Sequence, residues 1–402
     1  MTPTETPASA RPTISHVRLV WMLGLLAAFA PFATDMYLAS FPALVETYAA
    51  SEAQVQLGLS MFFLGLSVGQ LIYGPVIDRF GRKTPLLVGI VVFIAASLAI
   101  TVAPSIEAFV LLRFLQATGG CAGMIIGRAI IRDLFDEREG ARVLSIMMMI
   151  MGVAPVIAPS LGATILGFAN WQAIFFALTL FGLLCLALAS MWLPETLPQA
   201  QRQSIHPREI ARVFATLLSR RAFIVPTLAG SVGFAGMFAF ISGSPFVFME
   251  YYGVDQQAYG LLFAINAAGM VGASQLNRFL LTRLSTRAVF ALALAINVAG
   301  GAAVLALAVS EAPLPALFAA LWITLATVPL IAANTIAIGM SASGTYAGSA
   351  SSIIGVLQFA CASLASAAVG LLSDGTAAAM ATVIFACGVA AALILLLTAR
   401  RA

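Results

Sequence analysis

The chain has 402 residues, of which 61% are hydrophobic and only 9% are charged, and its formal net charge is +4. A mean hydropathy of +1.02 excludes a water-soluble globular protein. The basic residues are spread along the chain without a dense patch, so the positive charge does not indicate nucleic-acid binding. These figures predict an all-α membrane protein that crosses the bilayer many times.

Twelve apolar stretches of about 20 residues follow one another, and each is long enough to cross the hydrocarbon core as a helix. Their length, and the Gly and Pro residues inside them, favour helices over the strands of a barrel. The predicted spans cover residues 17–38, 54–76, 84–103, 106–131, 141–167, 171–193, 222–249, 258–280, 287–308, 313–340, 346–372 and 377–399.

Lys and Arg residues fall almost entirely on one side of this arrangement. With the N-terminus in the cytoplasm, all but one of the 20 lie in cytoplasmic segments or at cytoplasmic helix ends. The opposite loops contain no Lys or Arg, as the positive-inside rule requires. The sequence therefore predicts cytoplasmic N- and C-termini in a multi-pass protein of the bacterial inner membrane. The acidic residues of the opposite loops are Glu46, Glu52, Glu107, Glu250, Asp255, Glu311 and Asp374.

The spans divide into six and six around one long polar connection. We expect a cytoplasmic tail without fixed structure at 1–16 and an N-terminal six-helix bundle at 17–193. A central cytoplasmic linker at 194–221 and a C-terminal six-helix bundle at 222–399 follow. Such a division is typical of a transporter built from two related halves.

The loop between the second and third spans combines glycines with charges. Gly74 would allow a close approach of helices, and Gly81 would allow a tight turn. Asp78 can accept hydrogen bonds from helix N-terminal amides or from a nearby Arg. An ordinary basic turn is the alternative interpretation. The positions that we predict to form a gate loop are Gly74, Asp78, Arg79, Gly81, Arg82 and Lys83.

Asp35 is an ionisable residue within the first span. It lies about 27 Å along the helix from Val17, which places it in the outer half of that span. A charge at this depth is costly and usually lines a polar cavity, where a carboxylate can take up and release a proton. The alternative is an interfacial residue at the end of the helix.

Arg113 is the one basic residue inside an apolar stretch. It lies about 10 Å from the outer end of the fourth span, at a depth similar to that of Asp35. A buried Arg needs a carboxylate, backbone carbonyls or water as partners. Alternatively, its side chain extends to the outer interface. We expect Asp35 and Arg113 to form a site for substrate and proton coupling.

The fifth span contains two prolines between small residues. This pattern predicts a bent helix that packs closely on its neighbours. The motif positions are Gly152, Pro155, Pro159 and Gly162.

The string Gly74-Pro75-Val76-Ile77-Asp78-Arg79-Phe80-Gly81-Arg82-Lys83 resembles the G-x-x-x-D-R-x-G-R-K signature of the major facilitator superfamily. The resemblance implies two six-helix bundles around a cavity that opens alternately to each side, with this loop as a latch. Residues 112–120 are similar to the fourth-helix motif of the proton-coupled members. A Gly/Pro-rich fifth helix is associated with the drug–proton antiporters of the superfamily.

A closer resemblance, over nearly the whole chain, is to the Bcr/CflA group of multidrug exporters. The chain departs from that group at Ala39, where Pro is usual, and in the loop 340–345, which lacks an acidic residue. The segments that carry the resemblance are Asp35-Met36-Tyr37-Leu38, Phe41-Pro42-Ala43-Leu44, Trp171, Pro194-Glu195-Thr196-Leu197, residues 236–240, residues 244–247 and residues 347–352.

The second half has no membrane-embedded charge, and the polar residues of its spans lie beside a series of Phe and Met side chains. Such a wall suits variable amphipathic ligands, although most of these residues would equally face lipid or the core. The residues that we predict to line a substrate cavity are Tyr37, Gln116, Phe238 and Asn266.

These features predict a secondary transporter that exports small amphipathic compounds such as drugs and antibiotics in exchange for protons. The alternative is a proton-coupled exporter or uptake carrier of a narrow metabolite such as an amino acid. The only histidines, His16 and His206, are far apart, and the sequence lacks zinc spacings, phosphate loops and nucleophile–base pairs. We therefore expect no enzyme activity, no metal and no cofactor. The expected partners are lipid, substrates and protons, without nucleic acid or an obligate protein partner.

Overall fold

The computed structural model describes residues 16–202 and 207–399, and over these residues its regular elements are helices, without strands. All of the predicted tail except His16 lies outside the described residues, as do His206 and the last three residues. The helices of the first half are α1 His16–Ala27, α2 Phe29–Asp35, α3 Phe41–Tyr48, α4 Glu52–Phe80, α5 Lys83–Ile100, α6 Ile106–Leu134, α7 Glu137–Leu166 and α8 Trp171–Trp192.

The connection and the second half follow the same pattern. The linker contains one amphipathic helix, whose Leu217 is buried against Phe223 and Ile353. Its helix and those of the second half are α9 Pro207–Ser219, α10 Arg221–Pro245, α11 Gln256–Leu280, α12 Thr286–Val309, α13 Leu314–Ala326, α14 Val328–Ser343, α15 Ala347–Leu372 and α16 Ala378–Ala399.

Eleven of the described segments are long and apolar enough to cross a membrane. One of them, Leu314–Leu372, has 59 residues and contains α13, α14 and α15. A helix of that length would measure about 88 Å, almost three times the thickness of the hydrocarbon core. The segment therefore makes two passes, which meet at the 3₁₀ turn Gly344–Tyr346. With this division the described residues contain the twelve predicted spans.

The first span is longer and less regular than predicted. It covers Arg18–Tyr48 and consists of α1, α2, the 3₁₀ turn Leu38–Ser40 and α3. Pro42 at the start of α3 does not end the span, because proline is tolerated in the first turn of a helix. Asp35 is the 18th of the 31 residues in this longer span, just past its middle.

The two halves are joined by two long helix pairs. In the first pair, α4 packs along α15, and serine side chains of both helices form hydrogen bonds across this contact. Ser60 Oγ lies 2.9 Å from Ser366 Oγ. Ser67 Oγ donates to the carbonyl of Val356 at 3.0 Å, and Ser352 Oγ donates to the carbonyl of Gln70 at 2.9 Å. In the second pair, α7 packs against α11.

The ends of the helices define two sides of the molecule. We call the side with the turn between α4 and α5 the basic side, because it carries Arg82 and Lys83. We call the other side the acidic side, because Glu52, Glu107 and Glu250 lie at helix ends there.

Candidate transport site

Asp35 lies where the first span changes direction. It is the last residue of α2, and the turn at Met36 and Tyr37 separates it from the 3₁₀ turn Leu38–Ser40. The side chain is only 3% exposed, which disfavours an interfacial position. Within 16–202 and 207–399, the carboxylate takes part in none of the ion pairs. Asp35 is thus a buried acid without a basic partner at contact distance.

Arg113 is fully buried in the first third of α6, so its side chain does not extend to the interface. Its Nη2 donates to the backbone carbonyl of Ala33 at 2.9 Å. That carbonyl lies in the last turn of α2, where carbonyls lack partners within the helix. The guanidinium also lies 4.2 Å from the ring centroids of both Tyr37 and Phe62. Aromatic faces stabilise a desolvated cation without neutralising it.

Gln116 fixes the position of the Arg113 guanidinium. Its Oε1 accepts from Arg113 Nη1, and its Nε2 donates to Ser97 Oγ at 2.7 Å. The hydroxyl of Ser97 in turn donates to the carbonyl of Phe93 at 2.7 Å. Both ends of the Gln116 side chain are therefore occupied inside the first half, where the residue is fully buried. Gln116 thus connects Arg113 to Ser97 of α5 and orients the guanidinium.

Asp35 and Arg113 lie in one region, and the α2 segment links them. The guanidinium binds the carbonyl of Ala33 and contacts the ring of Tyr37, so residues two positions before and two positions after Asp35 hold it. The charges of both residues act on Tyr37. In the part of the chain that the structure describes, the hydroxyl of Tyr37 forms no hydrogen bond. A short stretch of backbone around Asp35 therefore connects its carboxylate to the guanidinium of Arg113.

The fifth-helix motif packs directly against this stretch. A Cβ atom on Gly162 would overlap the backbone carbonyl of Met36, so α7 can approach the turn only with glycine there. On the other side of α7, a Cβ atom on Gly260 of α11 would lie 3.2 Å from Ser160 Cα. Pro155 and Pro159 lie inside α7, before Ser160 and Gly162 in the chain. The motif thus separates the Asp35 turn from a helix of the second half.

Gly152 makes a looser contact. A Cβ atom there would lie 3.6 Å from the side chain of Val271, which is an ordinary distance.

The two predicted cavity residues of the second half are both buried. The ring of Phe238 lies 4.4 Å from that of Phe63 in α4, so it forms an aromatic contact between the halves. Asn266 in α11 donates to the carbonyl of Leu262 at 3.5 Å. Its Oδ1 atom is buried and has no hydrogen-bond partner among the described residues. Neither residue contacts Arg113 or Asp35.

The gate loop on the basic side is centred on Arg82. Its Nη1 donates to Asp78 Oδ1 at 2.9 Å and to the carbonyl of Ile77 at 2.7 Å. Its Nε donates to Asp133 Oδ2 at 2.9 Å, which ties α6 to the loop. Burial by itself would lower the pKa of Arg82, but its hydrogen bonds to the carboxylates of Asp133 and Asp78 outweigh this effect and raise the pKa above its ordinary value.

Glu195, just after α8, completes this loop. Its Oε1 accepts from the backbone amide of Arg82 at 2.7 Å, and its Oε2 accepts from that of Lys83 at 3.3 Å. A carboxylate at the N-terminus of α5 satisfies amides that have no partner in the helix. We expected Asp78 either to bind such amides or to pair with an Arg, and the structure places it against Arg82.

Two glycines of the gate loop differ in their surroundings. Gly81 has φ +88°, a conformation that favours glycine, and Glu195 lies directly against its Cα. Nothing lies within 4 Å of a Cβ atom built on Gly74. The expected close approach of helices at Gly74 was therefore wrong, because open space surrounds this position.

The remaining basic residues of the loop make separate contacts. The guanidinium of Arg79 lies 5.3 Å from the ring of Phe80, and Lys83 Nζ donates to the carbonyl of Ser190 at 2.9 Å. Among the described residues, neither of these two side chains forms an ion pair with Asp78 or Asp133, the partners of Arg82.

Sequence reasoning missed three of the positioning residues, namely Ser97, Asp133 and Glu195. Asp133 and Glu195 lie near the ends of predicted spans on the basic side, where other acidic residues also lie, so no pattern distinguishes them. Ser97 lies in an apolar span among other small residues, and no pattern distinguishes it.

Comparison with known proteins identifies the family. The chain matches the Major Facilitator Superfamily over residues 23–366. It is 36% identical over 378 residues to the "Uncharacterized MFS-type transporter YdgK" of Bacillus subtilis (strain 168), covering 92% of each chain. It is 33% identical to the "Bicyclomycin resistance protein homolog" of Haemophilus influenzae, covering 91% of this chain and 92% of that one. It is 30% identical to the "Multidrug resistance protein MdtL" of Escherichia coli, covering 92% of each.

Solved structures share the fold at lower identity. A bacterial homologue of the human lysosomal transporter Spinster, in an inward-facing and occupied conformation, has a TM-score of 0.77 with 16% identity, covering 95% of this chain and 96% of that one. A D-xylose–proton symporter has a TM-score of 0.74 with 12% identity, covering 94% and 97%. The resemblance to drug exporters seen in the sequence is confirmed by the relatives. The chain belongs to the Major Facilitator Superfamily and is a multi-pass membrane transporter rather than an enzyme.

Proposed function

We propose that the protein exports small amphipathic compounds, such as drugs and antibiotics, from the cytoplasm in exchange for protons. The observation that carries this proposal is the buried carboxylate of Asp35, which has no ion-pair partner among the described residues although Arg113 lies nearby. The names of two relatives, a bicyclomycin resistance protein homologue and a multidrug resistance protein, support drugs as the substrate class.

A buried acid without a basic partner is suited to exchange a proton. Charge burial is costly, so the ionised and neutral forms of Asp35 differ strongly in how well each conformation of the protein accommodates them. Protonation removes one charge from a region that retains the positive charge of Arg113. The two protonation states then favour different conformations, which is the differential affinity that coupling requires.

The turn that carries Asp35 can pass this change to the second half. The 3₁₀ turn Leu38–Ser40 packs against α7, α10 and α11. Phe41, which follows the turn, lies 5.6 Å from Phe246 of the second half, measured between ring centroids. A shift of the turn would therefore move contacts between the two bundles. We propose that substrate and proton bind alternately at this site, and that the Arg82 loop holds one of the gate states.

The distribution of charge supports an orientation. We propose that the basic side faces the cytoplasm of a bacterial inner membrane, with both termini on that side, because Lys and Arg are retained there. No cofactor enters the proposed mechanism, and the proton gradient supplies the energy.

The test is substrate-triggered proton movement in liposomes. The purified protein is reconstituted with an imposed pH gradient and a lumenal pH dye, and amphipathic antibiotics are added one at a time. We expect proton flux with wild type and none with Asp35→Asn, because an amide cannot exchange a proton. Asp136→Asn is a matched control, since Asp136 is exposed and Asn is an equally good N-cap at that position.

Three outcomes contradict the proposal in different ways. Asp35→Asn transport with unchanged pH dependence and unchanged proton stoichiometry would place the proton site elsewhere. Absence of flux with wild type across a broad panel would instead favour a carrier of a narrow metabolite, such as an amino acid. Accumulation rather than exclusion of a substrate would indicate an uptake symporter, a function that the same fold supports in the D-xylose–proton symporter.

A further inference from the structure

A cavity opens at the acidic side between the two halves. It is distinct from the Asp35–Arg113 region. Its volume is about 260 Å³. Glu52 and Gln56 of α4 line it from the first half. Glu250 lines it from the π-helical turn Phe246–Tyr251, and Ser373 lines it from the connection between α15 and α16. The cavity exists only where the halves meet, so its shape depends on the conformation of the transporter.

Two carboxylates face this cavity without a cation of the protein. Ser373 Oγ donates to Glu52 Oε2 at 2.6 Å, which joins the two halves. Among the described residues, neither Glu52 nor Glu250 forms an ion pair. The charge of Glu52 acts on that of Glu250. Two like charges at one interface repel each other, so a cation between them would stabilise the contact.

Gln56 provides a further unpaired acceptor in the wall of the cavity. The side chain is 1% exposed, and its Oε1 has no hydrogen-bond partner among the described residues. The backbone of α15 lies close behind it, since a Cβ atom on Gly370 would lie 3.0 Å from this oxygen. Buried polar atoms are rarely left unpaired, so an N–H donor within the cavity would satisfy this oxygen.

The lining favours an organic ammonium ion over a metal ion. The described residues contain no group of three or more His, Cys, Asp or Glu that could hold a metal ion. An ammonium group offers several N–H donors and needs no complete oxygen shell. The rings of Phe246 and Tyr251 in the lining attract cations as well. The volume is smaller than that of cavities for drug-sized ligands, which indicates a small ion.

We propose that this cavity binds a small organic ammonium ion that bridges Glu52 and Glu250, and thereby stabilises the conformation in which the halves are in contact at the acidic side. Occupancy would act as a brake on opening to that side, because the ion contacts both halves only when they are together.

The probe is putrescine, a diamine, and its binding to the purified full-length protein is measured by titration calorimetry. We expect Glu52→Gln and Glu250→Gln each to weaken binding at least tenfold. Glu107→Gln removes the same charge from the same side outside the cavity lining and should leave the affinity unchanged. The uncharged 1,4-butanediol, of the same length, should not bind.

Unchanged affinity in both cavity variants overturns the proposal. Binding of Mg²⁺ that is lost in the same variants, without binding of putrescine, overturns the assignment to an ammonium ion. Thermal unfolding of each variant verifies that it is folded. Putrescine binding is measured separately from proton flux, so failure of this proposal and failure of the proposed antiport are distinguishable.

Discussion

Arg82 and Arg113 are both buried in the first half, yet the protein holds them in opposite ways. Arg82 lies on the basic side and contacts two carboxylates, those of Asp78 and Asp133. Arg113 lies in the middle of the bundle and contacts a carbonyl, an amide oxygen and two aromatic rings. In the described residues no carboxylate pairs with it.

The two arginines differ in role. We propose that the charge of Arg82 holds helices together, whereas the charge of Arg113 responds to the protonation of Asp35. The positive charge of Arg82 is neutralised where it stands, so its network contributes mainly rigidity and a fixed arrangement of α4, α5 and α6. The charge of Arg113 is oriented but not neutralised, so its energy depends on the state of the nearby Asp35. We therefore propose that a change in the protonation of Asp35 alters the interactions of Arg113 and leaves those of Arg82 unchanged.

The largest effect is expected from removal of the charge at Arg113. Arg113→Met should abolish substrate-triggered proton flux in liposomes. It should also lower the free energy of unfolding, by roughly 1–3 kcal/mol for each buried partner left unpaired, here the oxygens of Gln116 and Ala33. Arg113→Lys keeps the charge but loses the planar stacking, and should retain part of the flux. Flux like that of wild type in Arg113→Met would show that Arg113 is only an anchor.

The next largest effect concerns the packing beside Asp35. Gly162→Ala would place a methyl group against the carbonyl of Met36, so α7 must move away or the turn must shift. We expect strongly reduced transport, with the protein still inserted in the membrane. Gly152→Ala is the matched control on the same helix, because its methyl group would meet Val271 at an ordinary distance. Equal transport rates in both variants would mean that this packing is irrelevant to coupling.

A smaller effect is expected from the carboxylates around Arg82. Asp133→Asn should lower the free energy of unfolding by roughly 1.5–3 kcal/mol, since it weakens a charged hydrogen bond in a mostly buried site. The side chain of Asp78 is 39% exposed, against 14% for Asp133, so Asp78→Asn should cost about 1 kcal/mol or less. Chemical unfolding measures both. The proton stoichiometry should stay unchanged in each, and a change would break the distinction between the two arginines.

The smallest effect is expected at Gly74 of the gate loop, in contrast with Gly81. Gly81→Ala should destabilise the protein by about 1–3 kcal/mol, because alanine disfavours the combination of φ +88° and ψ −175°. Crowding against Glu195 would add to this cost. Gly74→Ala should be close to neutral, since open space surrounds the position. Thermal unfolding of the two variants compares them directly, and an equal loss in both would contradict this account of the loop.

Local patterns in the sequence were sufficient for the helices. Long apolar stretches predicted the spans, and the string from Gly74 to Lys83 predicted the family that the comparisons then showed. The same patterns failed at the end of the first span, which was predicted at residue 38 although the span continues to Tyr48. Hydropathy is an average over a window, so it does not register a short turn inside a span.

By itself, the sequence determined the membrane-spanning helices, the asymmetry of charge, and the presence of one acid and one base at membrane depth. Each of these follows from residue type and position along one segment. Only the tertiary structure decided that Arg82 pairs with Asp133, that Glu195 binds the start of α5, and that Arg113 contacts the backbone near Asp35 rather than its carboxylate. Those contacts join segments far apart in the chain, and the packing of the helices selects them.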